Sequence, residues 1–213
     1  MTEPLFDRRA LAAHRARAAN ATFLHEAACA ELSERLLEIN KSFTTSVIVG
    51  HEAALWASTL NLDAKLIPDT DTLDVTQGAH DLAIHALGLH WAEDPVGQLV
   101  QLRRALKPDG LMIAALFGGE TLTQLRAAFG QAEVEVEGGL SPRVAPMGEL
   151  RDLGGLVQRA GLALPVADSM RLTVDYADPL ALMRDLRAMG ETNAMAARRK
   201  TPLKRATLAR ALQ

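Results

Sequence analysis

The chain has 213 residues, of which 48% are hydrophobic and 23% are charged, and its formal net charge is −3 at pH 7. This length and apolar content indicate one globular domain with appendages, and the small net charge gives no general attraction to nucleic acid or to an anionic membrane. The single cysteine, Cys29, excludes an intrachain disulfide and a cysteine-rich metal site. No apolar run reaches the roughly 18 residues of a membrane span, and residues 1–19 lack the apolar stretch of a secretory signal. We therefore expect a cytoplasmic protein.

Hydrophobic spacing predicts helices and strands in alternation along the first half of the chain. Apolar residues recur every fourth position from Leu24 to Leu36, which predicts a helix over residues 21–39. Short apolar runs at 46–50, 65–68 and 81–87 are typical of buried strands, and residues 52–60 predict a short helix between the first two.

The middle of the chain carries the clearest local signals. Asp94 is an expected N-cap and Pro95 occupies the first helical position, which predicts a helix over 95–106. Lys107-Pro-Asp-Gly110 predicts a turn in which the proline presets φ and the glycine takes a positive φ. Residues 111–117 then predict an apolar strand. A strand, a helix, a turn and a second strand in this order are typical of a parallel βαβ unit.

The last third is predicted to be helical around one extended segment, residues 162–176. The predicted helices follow Gly119, cover 150–157 with a stop at Gly161, and run from 178 to Gly190. Glu133, Glu135 and Glu137 are interpreted as a solvated face. The tail, residues 198–213, has six positive and no negative charges, and we expect it to be solvated too or to dock an acidic partner. The predicted organisation is an N-terminal helical segment (1–45), an α/β core (46–176) and a C-terminal helical segment (177–213).

An ordered set of motifs resembles the class I S-adenosylmethionine (SAM) methyltransferases. The set comprises His80-Asp-Leu-Ala-Ile-His-Ala-Leu-Gly-Leu-His-Trp91, Leu106-Lys-Pro-Asp-Gly-Leu111 and Leu116-Phe-Gly-Gly-Glu-Thr-Leu122. Further matches favour the subgroup of the mitochondrial respiratory complex I assembly factor and its bacterial relatives: Leu5-Phe-Asp-Arg8, Glu137-Gly-Gly-Leu-Ser-Pro142, Asp152-Leu-Gly154 and Met189-Gly-Glu-Thr-Asn193. The resemblance implies a Rossmann-like α/β fold with a central, mostly parallel sheet and helices on both faces. Strand 46–50 should lie beside strand 82–87, with strand 111–117 beyond it.

The resemblance also implies a SAM site at the carboxyl ends of the strands. It assigns one group of residues to the cofactor, namely Gly50, Asp69, Asp71, Leu87 and His90. It assigns a second group to the substrate side, namely Trp91, Gly118, Gly119 and Glu120. Structural alternatives stay open, because Asp69-Thr-Asp71 is also typical of a polar turn and Glu120 also suits a helix start. His90-Trp91 is as compatible with a structural role, the catalytic residue is unknown, and no metal ligands are expected.

Departures from the family pattern predict a weakened cofactor site. The turn after the first strand keeps only Gly50, and the side chains of His51 and Glu52 are expected to crowd the cofactor. Residues 51–65 suffice for one crossover but not for the family's two. The sheet is therefore predicted to be shortened, Asp69 is placed on the adenine side, and the ribose-binding carboxylate has no expected equivalent.

The far end of the sheet is predicted to be shortened as well. The family's last antiparallel strand is expected to be lacking after Gln213, either lost or outside the sequence. Its absence would leave the apolar strand 111–117 with an open edge that invites pairing with another chain. We therefore expect this edge to be filled by residues 162–176, by a second copy of the chain or by a protein partner, and we expect no nucleic acid.

Three functions remain open from the sequence. The first is a SAM-dependent methyltransferase of unknown substrate, with weak or absent SAM binding. The second is a degenerate, non-catalytic member that acts as a binding or respiratory-complex assembly protein. The third, implied only by the mitochondrial homologue, is protein arginine hydroxylation, for which the sequence presents no iron-binding triad.

Overall fold

The computed structural model describes residues 3–19 and 21–213. Its helices and strands, in chain order, are α1 (Arg8–Arg15), α2 (Phe23–Glu38), β1 (Ser46–Val49), α3 (Ala53–Thr59), β2 (Ala64–Ile67), β3 (His80–Ala86), α4 (Pro95–Ala105), β4 (Leu106–Ala115), α5 (Thr123–Glu137), α6 (Leu150–Arg159), α7 (Pro179–Ala188) and α8 (Arg205–Ala211). One 3₁₀ turn, Leu89–Trp91, follows β3. No helix within the described ranges is long and apolar enough to cross a membrane.

The described residues divide into two compact units. The first, called the sheet unit below, consists of Thr22–Gly119 and Gly148–Ser169. The second, called the helical unit, consists of the described residues of Met1–Ala21, Glu120–Met147 and Met170–Gln213. The predicted organisation into 1–45, 46–176 and 177–213 stays a prediction.

The sheet unit is built on a parallel sheet with the strand order β2-β1-β3-β4. β1 pairs in parallel with both neighbours, so that Val47 lies opposite Lys65 in β2 and opposite Ala83 in β3. β3 also pairs in parallel with β4. The predicted α/β fold and strand order are confirmed. Residues 162–176 form no strand, so the predicted extended segments do not join this sheet.

Successive side chains of a strand point to opposite faces of the sheet. Helices pack against the side chains on both faces. On one face, Ile48 and Ile84 pack in a cluster with Trp56 of α3 and Leu32 of α2. On the other face, Val47, Val49 and Ala83 pack with Leu102 of α4. The prediction of helices on both faces is therefore confirmed.

The connections in the N-terminal half of the sheet are short. A single helix of seven residues, α3, lies between β1 and β2. Residues 68–79 connect β2 to β3 without a helix. Leu73, only 5% exposed, and Val75 of this loop pack on the same cluster as Val47. A loop thus covers sheet surface that a crossover helix would otherwise bury.

The Lys107-Pro-Asp-Gly110 segment differs from its prediction. Leu106 lies opposite His80 and Leu111 opposite Leu82, so the segment is a bulge within β4. The expectation that Gly110 takes a positive φ is wrong, because Asp109 has the φ of 62°. Aspartate tolerates this region because its short side chain hydrogen-bonds locally. Gly110 is needed for space, since a Cβ there would lie 3.0 Å from the Cβ of Leu106.

The helix stops at Gly161 and Gly190 are confirmed. Gly161 has φ 79°, its N–H donates to the carbonyl of Gln158, and Leu162 N–H donates to Val157. Gly190 repeats this pattern at the end of α7 with φ 76°. Both are left-handed C-terminal caps that an L side chain would strain.

Asp81 ties the segment before β1 to β3. Its carboxylate accepts hydrogen bonds from the N–H and hydroxyl of Thr44, at 3.0 and 2.9 Å, and from the N–H of Thr45 at 3.0 Å. Burial alone would raise the pKa of Asp81, but these hydrogen bonds outweigh it and hold that pKa well below the ordinary 3.8.

Acid is therefore expected to weaken the fold partly through Asp81. Because its pKa is lower in the folded than in the unfolded chain, its stabilisation is complete above about pH 4 and is lost as the pH falls toward the folded value. We expect Asp81→Asn to flatten the fall of the urea midpoint between about pH 4 and pH 2, whereas Asp63→Asn, at an exposed carboxylate, should leave the profile unchanged. Parallel profiles for wild type and Asp81→Asn would contradict this assignment.

β4 is at one end of the sheet, and no other described strand pairs with its outer edge. Residues 111–117 carry no charge that would discourage pairing with another chain. We expect self-association, measured as a molar mass by light scattering that rises with protein concentration. A constant monomer mass over a hundredfold range of concentration would show that this edge does not recruit a second copy.

Candidate functional site

The carboxyl ends of β1, β2 and β3 form the edge on which the candidate site is built. The chain moves from β1 to β2 on one side, and β3 lies on the other side of β1, so the strand order reverses between β1 and β3. Ligands of open parallel sheets bind in the crevice at the carboxyl ends where the order reverses. Gly50, Asp69 and Leu87 follow the ends of β1, β2 and β3 respectively.

Gly50 is required where the chain leaves β1. Its φ is 152°, and a Cβ at this position would lie 2.6 Å from the carbonyl oxygen of Ala86 in β3. Its own N–H donates to the carbonyl of Ile67 at 3.0 Å. Only glycine lets the backbone pass this close to the neighbouring strand.

Asp69 lies against the backbone of Gly88. A Cβ on Gly88 would be 2.7 Å from Asp69 Oδ2 and 3.2 Å from His85 Cε1. The Asp69 side chain is largely covered, since the residue is only 5% exposed. A carboxylate is thus placed at the carboxyl end of the strand beside β1, in space that any side chain on Gly88 would fill.

Two glutamines of α4 hold the loop that carries Asp69 and Asp71. The Gln98 amide nitrogen donates to the carbonyl of Thr70 at 3.0 Å, and its oxygen lies 2.8 Å from His85 Nε2. Gln101 donates to the carbonyl of Asp71 at 2.9 Å and accepts from the N–H of Leu73 at 2.8 Å. The sequence analysis did not identify either glutamine. The polar Gln98 among the apolar positions of the predicted helix could have indicated a buried hydrogen-bonding role.

The other residues assigned to the cofactor differ in exposure. Leu87 is buried and has φ 49°, a conformation that costs a non-glycine residue energy and that clusters at functional sites. Asp71 is exposed. The His90 ring is half-buried, with its centroid 4.9 Å from that of Phe117 and 5.5 Å from that of Trp91. Trp91 is 3% exposed and so lies in the core.

Gly118 and Gly119, assigned to the substrate side, contact the segment before α6. Gly119 N–H donates to the carbonyl of Gly148 at 2.9 Å, and a Cβ on Gly118 would lie 3.0 Å from the same oxygen. Glu120 belongs to the helical unit, where its exposed carboxylate pairs with Arg171 at 2.7 Å. The side chains of His51 and Glu52 lie 3.4 Å apart and are both about one third exposed, at 31% and 32%. Their expected crowding of a cofactor stays a prediction.

The interpretation of Glu133, Glu135 and Glu137 as a solvated face is wrong for Glu133 and for Glu137, whose side chain is 9% exposed, and holds only for the exposed Glu135. Glu133 is 1% exposed, and its carboxylate accepts from Ser141 N–H at 2.7 Å, Ser141 Oγ at 2.6 Å and Arg143 Nε at 2.8 Å. Burial alone would raise the pKa of Glu133, but these partners outweigh it and hold that pKa below its usual range.

The basic tail supplies the partners of the other two glutamates. Thr207 donates to Glu137 at 2.6 Å, Arg199 also binds this carboxylate, and the two lower the pKa of Glu137 to about 2, with Arg199 the stronger. Arg210 donates to Glu135 at 2.5 and 3.1 Å. Helix α8 of the tail packs against α5. The acidic surface that these tail residues contact is therefore α5 of the same chain.

The described residues contain no group of three His, Cys, Asp or Glu side chains placed to hold a metal ion. One cavity, of about 700 Å³, is lined by α6 residues with Pro165, and a second, of about 200 Å³, is lined by residues that include Leu73 and Gln101. Neither of these two cavities is lined by Gly50, Asp69 or His90.

No family model matches the chain. The mitochondrial arginine-hydroxylase NDUFAF5 of Homo sapiens is 41% identical over 143 residues, which cover 67% of this chain and 41% of that protein. The malonyl-[acyl-carrier protein] O-methyltransferase of Xylella fastidiosa is 38% identical over 138 residues, 65% of this chain and 45% of that protein. A solved structure of a SAM-dependent methyltransferase from Thermotoga maritima, a possible histamine N-methyltransferase, shares 16% identity at a TM-score of 0.48, over 66% of this chain and 73% of that one.

The chain spans less than half the length of the arginine hydroxylases that it matches. Identities of 40% and 41% with the Danio rerio and Homo sapiens proteins extend over 143 residues, which are 67% of this chain. The resemblance predicted from those motifs is confirmed, since the homologues of this chain are the NDUFAF5 proteins and bacterial methyltransferases.

Proposed function

We propose that this chain is a SAM-dependent methyltransferase-family protein that holds SAM weakly at the carboxyl ends of β1, β2 and β3. The observation that carries the proposal is the position of Asp69, two residues after the end of β2, which lies beside β1, and against Gly88. Asp69 follows Gly50 by about 20 residues, the spacing at which an acidic residue of a nucleotide-binding sheet binds ribose hydroxyls. We therefore assign Asp69 to the ribose side of the cofactor rather than to the adenine side.

The residues at this edge suit a nucleoside. Gly50 and Gly88 have no side chain, so a ligand could approach the backbone at these two positions. The carboxylate of Asp69 can accept hydrogen bonds from hydroxyl groups. Asp71, Leu87 and His90 would line the adenine side. When bound, SAM supplies an electrophilic methyl group, and the contribution of these residues would be to hold and orient it. Gly118, Gly119 and Glu120 stay assigned to the substrate side, whereas the buried Trp91 would support His90 from the core.

Three features favour weak binding. Gly50 is the only glycine in its turn, so less backbone is free to approach the cofactor. Asp69 is only 5% exposed, so a ligand must displace groups that cover it. The partly exposed side chains of His51 and Glu52 directly follow Gly50, where they would crowd a bound cofactor.

A second candidate is a non-catalytic binding or assembly protein that retains the fold. It is favoured by two apolar side chains of the sheet unit, Leu164 and Val166, which are 93% and 90% exposed. Contiguous exposed apolar patches mark surfaces that a partner protein covers, and these two side chains would contribute to such a patch. A third candidate, arginine hydroxylation, is the activity named for the NDUFAF5 homologues. These homologues are named mitochondrial, and a cytoplasmic location for this chain stays a prediction.

Thermal unfolding with added SAM tests the proposal. For a dissociation constant of about 1 mM, 1 mM SAM stabilises the folded state by about 0.4 kcal/mol, which raises the Tm of a chain of this size by about 1 °C. Asp69→Asn should abolish this rise, whereas Asp74→Asn, at an exposed carboxylate of the same loop, should preserve it. A rise of many degrees would overturn weak binding and favour an efficient enzyme. No rise and no detectable binding would favour the non-catalytic candidate.

A further inference from the structure

We propose that Gln98 is a positioning residue for the candidate cofactor site, and that it acts on Asp69 through Thr70 and His85. The ligand part of this inference rests on the proposed function. Its structural part rests on geometry within the sheet unit alone.

The carbonyl of Thr70 determines the direction of both hydrogen bonds that the Gln98 side chain makes. The carbonyl of Thr70 can only accept, so the group 3.0 Å from it must be the amide nitrogen of Gln98. The amide oxygen of Gln98 then lies 2.8 Å from His85 Nε2, which must carry the hydrogen. His85 therefore carries a hydrogen on Nε2.

Burial makes this arrangement specific. His85 is 0% exposed and Gln98 is 2% exposed, so water does not replace either partner readily. Buried hydrogen bonds in a low-dielectric interior favour one arrangement of their partners, because rotating the Gln98 amide would leave the carbonyl of Thr70 facing an oxygen. β3, α4 and the β2–β3 loop are joined at this one side chain.

The network meets the candidate site at Gly88. The Cβ position of Gly88 lies 2.7 Å from Asp69 Oδ2 and 3.2 Å from His85 Cε1, so the ring that binds Gln98 also borders the space of the carboxylate. Thr70, whose carbonyl Gln98 holds, directly follows Asp69. Gln98 therefore fixes both the backbone beside Asp69 and the ring beside its carboxylate, whereas Gln101 holds the later residues Asp71 and Leu73.

The test uses ¹⁵N NMR on the full chain. In wild type we expect the His85 ring to show the Nε2–H tautomer and residues 69–71 to have order parameters near 0.85, the value of rigid backbone. Gln98→Leu removes both contacts and should lower these order parameters below about 0.6. Gln98→Glu in its ionised form keeps an acceptor for His85 Nε2–H but has no donor for Thr70, so it should loosen residues 69–71 while Nε2 of His85 keeps its hydrogen. Gln158→Leu, the same substitution at an exposed glutamine of the sheet unit, should change neither.

Titration with SAM separates the two parts of the inference. If wild type binds SAM, Gln98→Leu should weaken binding at least tenfold, and unchanged affinity would overturn the positioning role. If wild type does not bind SAM, the proposed function fails, and the order parameters still decide whether Gln98 fixes the Asp69 loop. If Gln98→Leu does not fold, the wild-type tautomer and Gln98→Glu decide. An Nδ1–H tautomer, or unchanged order parameters at residues 69–71, would overturn the inference.

Discussion

Replacing Glu133 with alanine is expected to destabilise the fold by about 3–5 kcal/mol, the usual cost of breaking a buried ion pair by removing one partner. The carboxylate side chain is 2% exposed, and its removal leaves Arg143, 21% exposed, without its anion. Ser141 also loses the acceptor for both its N–H and its hydroxyl. The midpoint and slope of urea unfolding measure this loss.

Two further variants separate charge from hydrogen bonding at this position. Glu133→Gln keeps an acceptor for Ser141 but loses the charge, so its free energy of unfolding should lie between those of wild type and Glu133→Ala. Glu135→Ala removes a carboxylate of the same helix that is 44% exposed and pairs with Arg210, and it should cost far less because water screens such pairs. Equal losses for Glu133→Ala and Glu135→Ala would contradict the burial of the Glu133 network.

Gly50→Ala is expected to cost about 2–4 kcal/mol, the sum of backbone strain and displacement of a packed strand. Its new Cβ would lie 2.6 Å from Ala86 O, a backbone atom of β3 that cannot turn aside, at a φ of 152°. Gly78→Ala is the matched control, because Gly78 also has a positive φ, 63°, but a Cβ there meets no atom within 4 Å. Its cost should be about 1 kcal/mol, from strain alone. Urea unfolding measures both losses. Equal losses of stability for Gly50→Ala and Gly78→Ala would contradict the close approach of β1 to β3.

Much of the sheet unit could be predicted from the sequence because its signals are local. Apolar runs bounded by turn residues indicated β1 and β3, and Asp94-Pro95 indicated the start of α4, which begins at Pro95 with the Asp94 carboxylate on Gly97 N–H. The strand order followed from the resemblance and from the parallel βαβ connection. Gly161 and Gly190 were predictable because a left-handed helix cap selects glycine almost by itself.

The errors concern contacts between residues that are distant in sequence. Glu133 and Glu137 look solvated when α5 is considered alone. Ser141 and Arg143, which follow the helix, cover Glu133, and only the return of the tail places Arg199 beside Glu137. The bulge at Asp109 depends on the register between β3 and β4, which no local pattern encodes. Gln98 was missed for the same reason, since its partners Thr70 and His85 lie on other elements.

The sequence predicted which strand ends carry the candidate site residues, but not the contacts those residues make. Carboxyl ends of parallel strands meet at one edge, so Gly50, Asp69 and Leu87 were expected close together. The direct pairing of β2 with β1 brings the loop that carries Asp69 to the edge beside β1, and whether Asp69 serves the ribose or the adenine side stays a prediction. Burial of Trp91 and the ion pair of Glu120 with Arg171 depend on packing that the motif itself does not describe.

The most direct measurement is a titration of ¹⁵N-labelled protein with SAM, followed by amide NMR. Weak binding at the carboxyl ends of β1, β2 and β3 predicts saturable shifts concentrated at Gly50, Asp69, Leu87, Gly88 and His90, with a dissociation constant near the millimolar range. Asp69→Asn should remove these shifts, and Asp74→Asn should retain them. Shifts confined to α6 or to the helical unit, or none at several millimolar SAM, would contradict a cofactor site at this edge of the sheet.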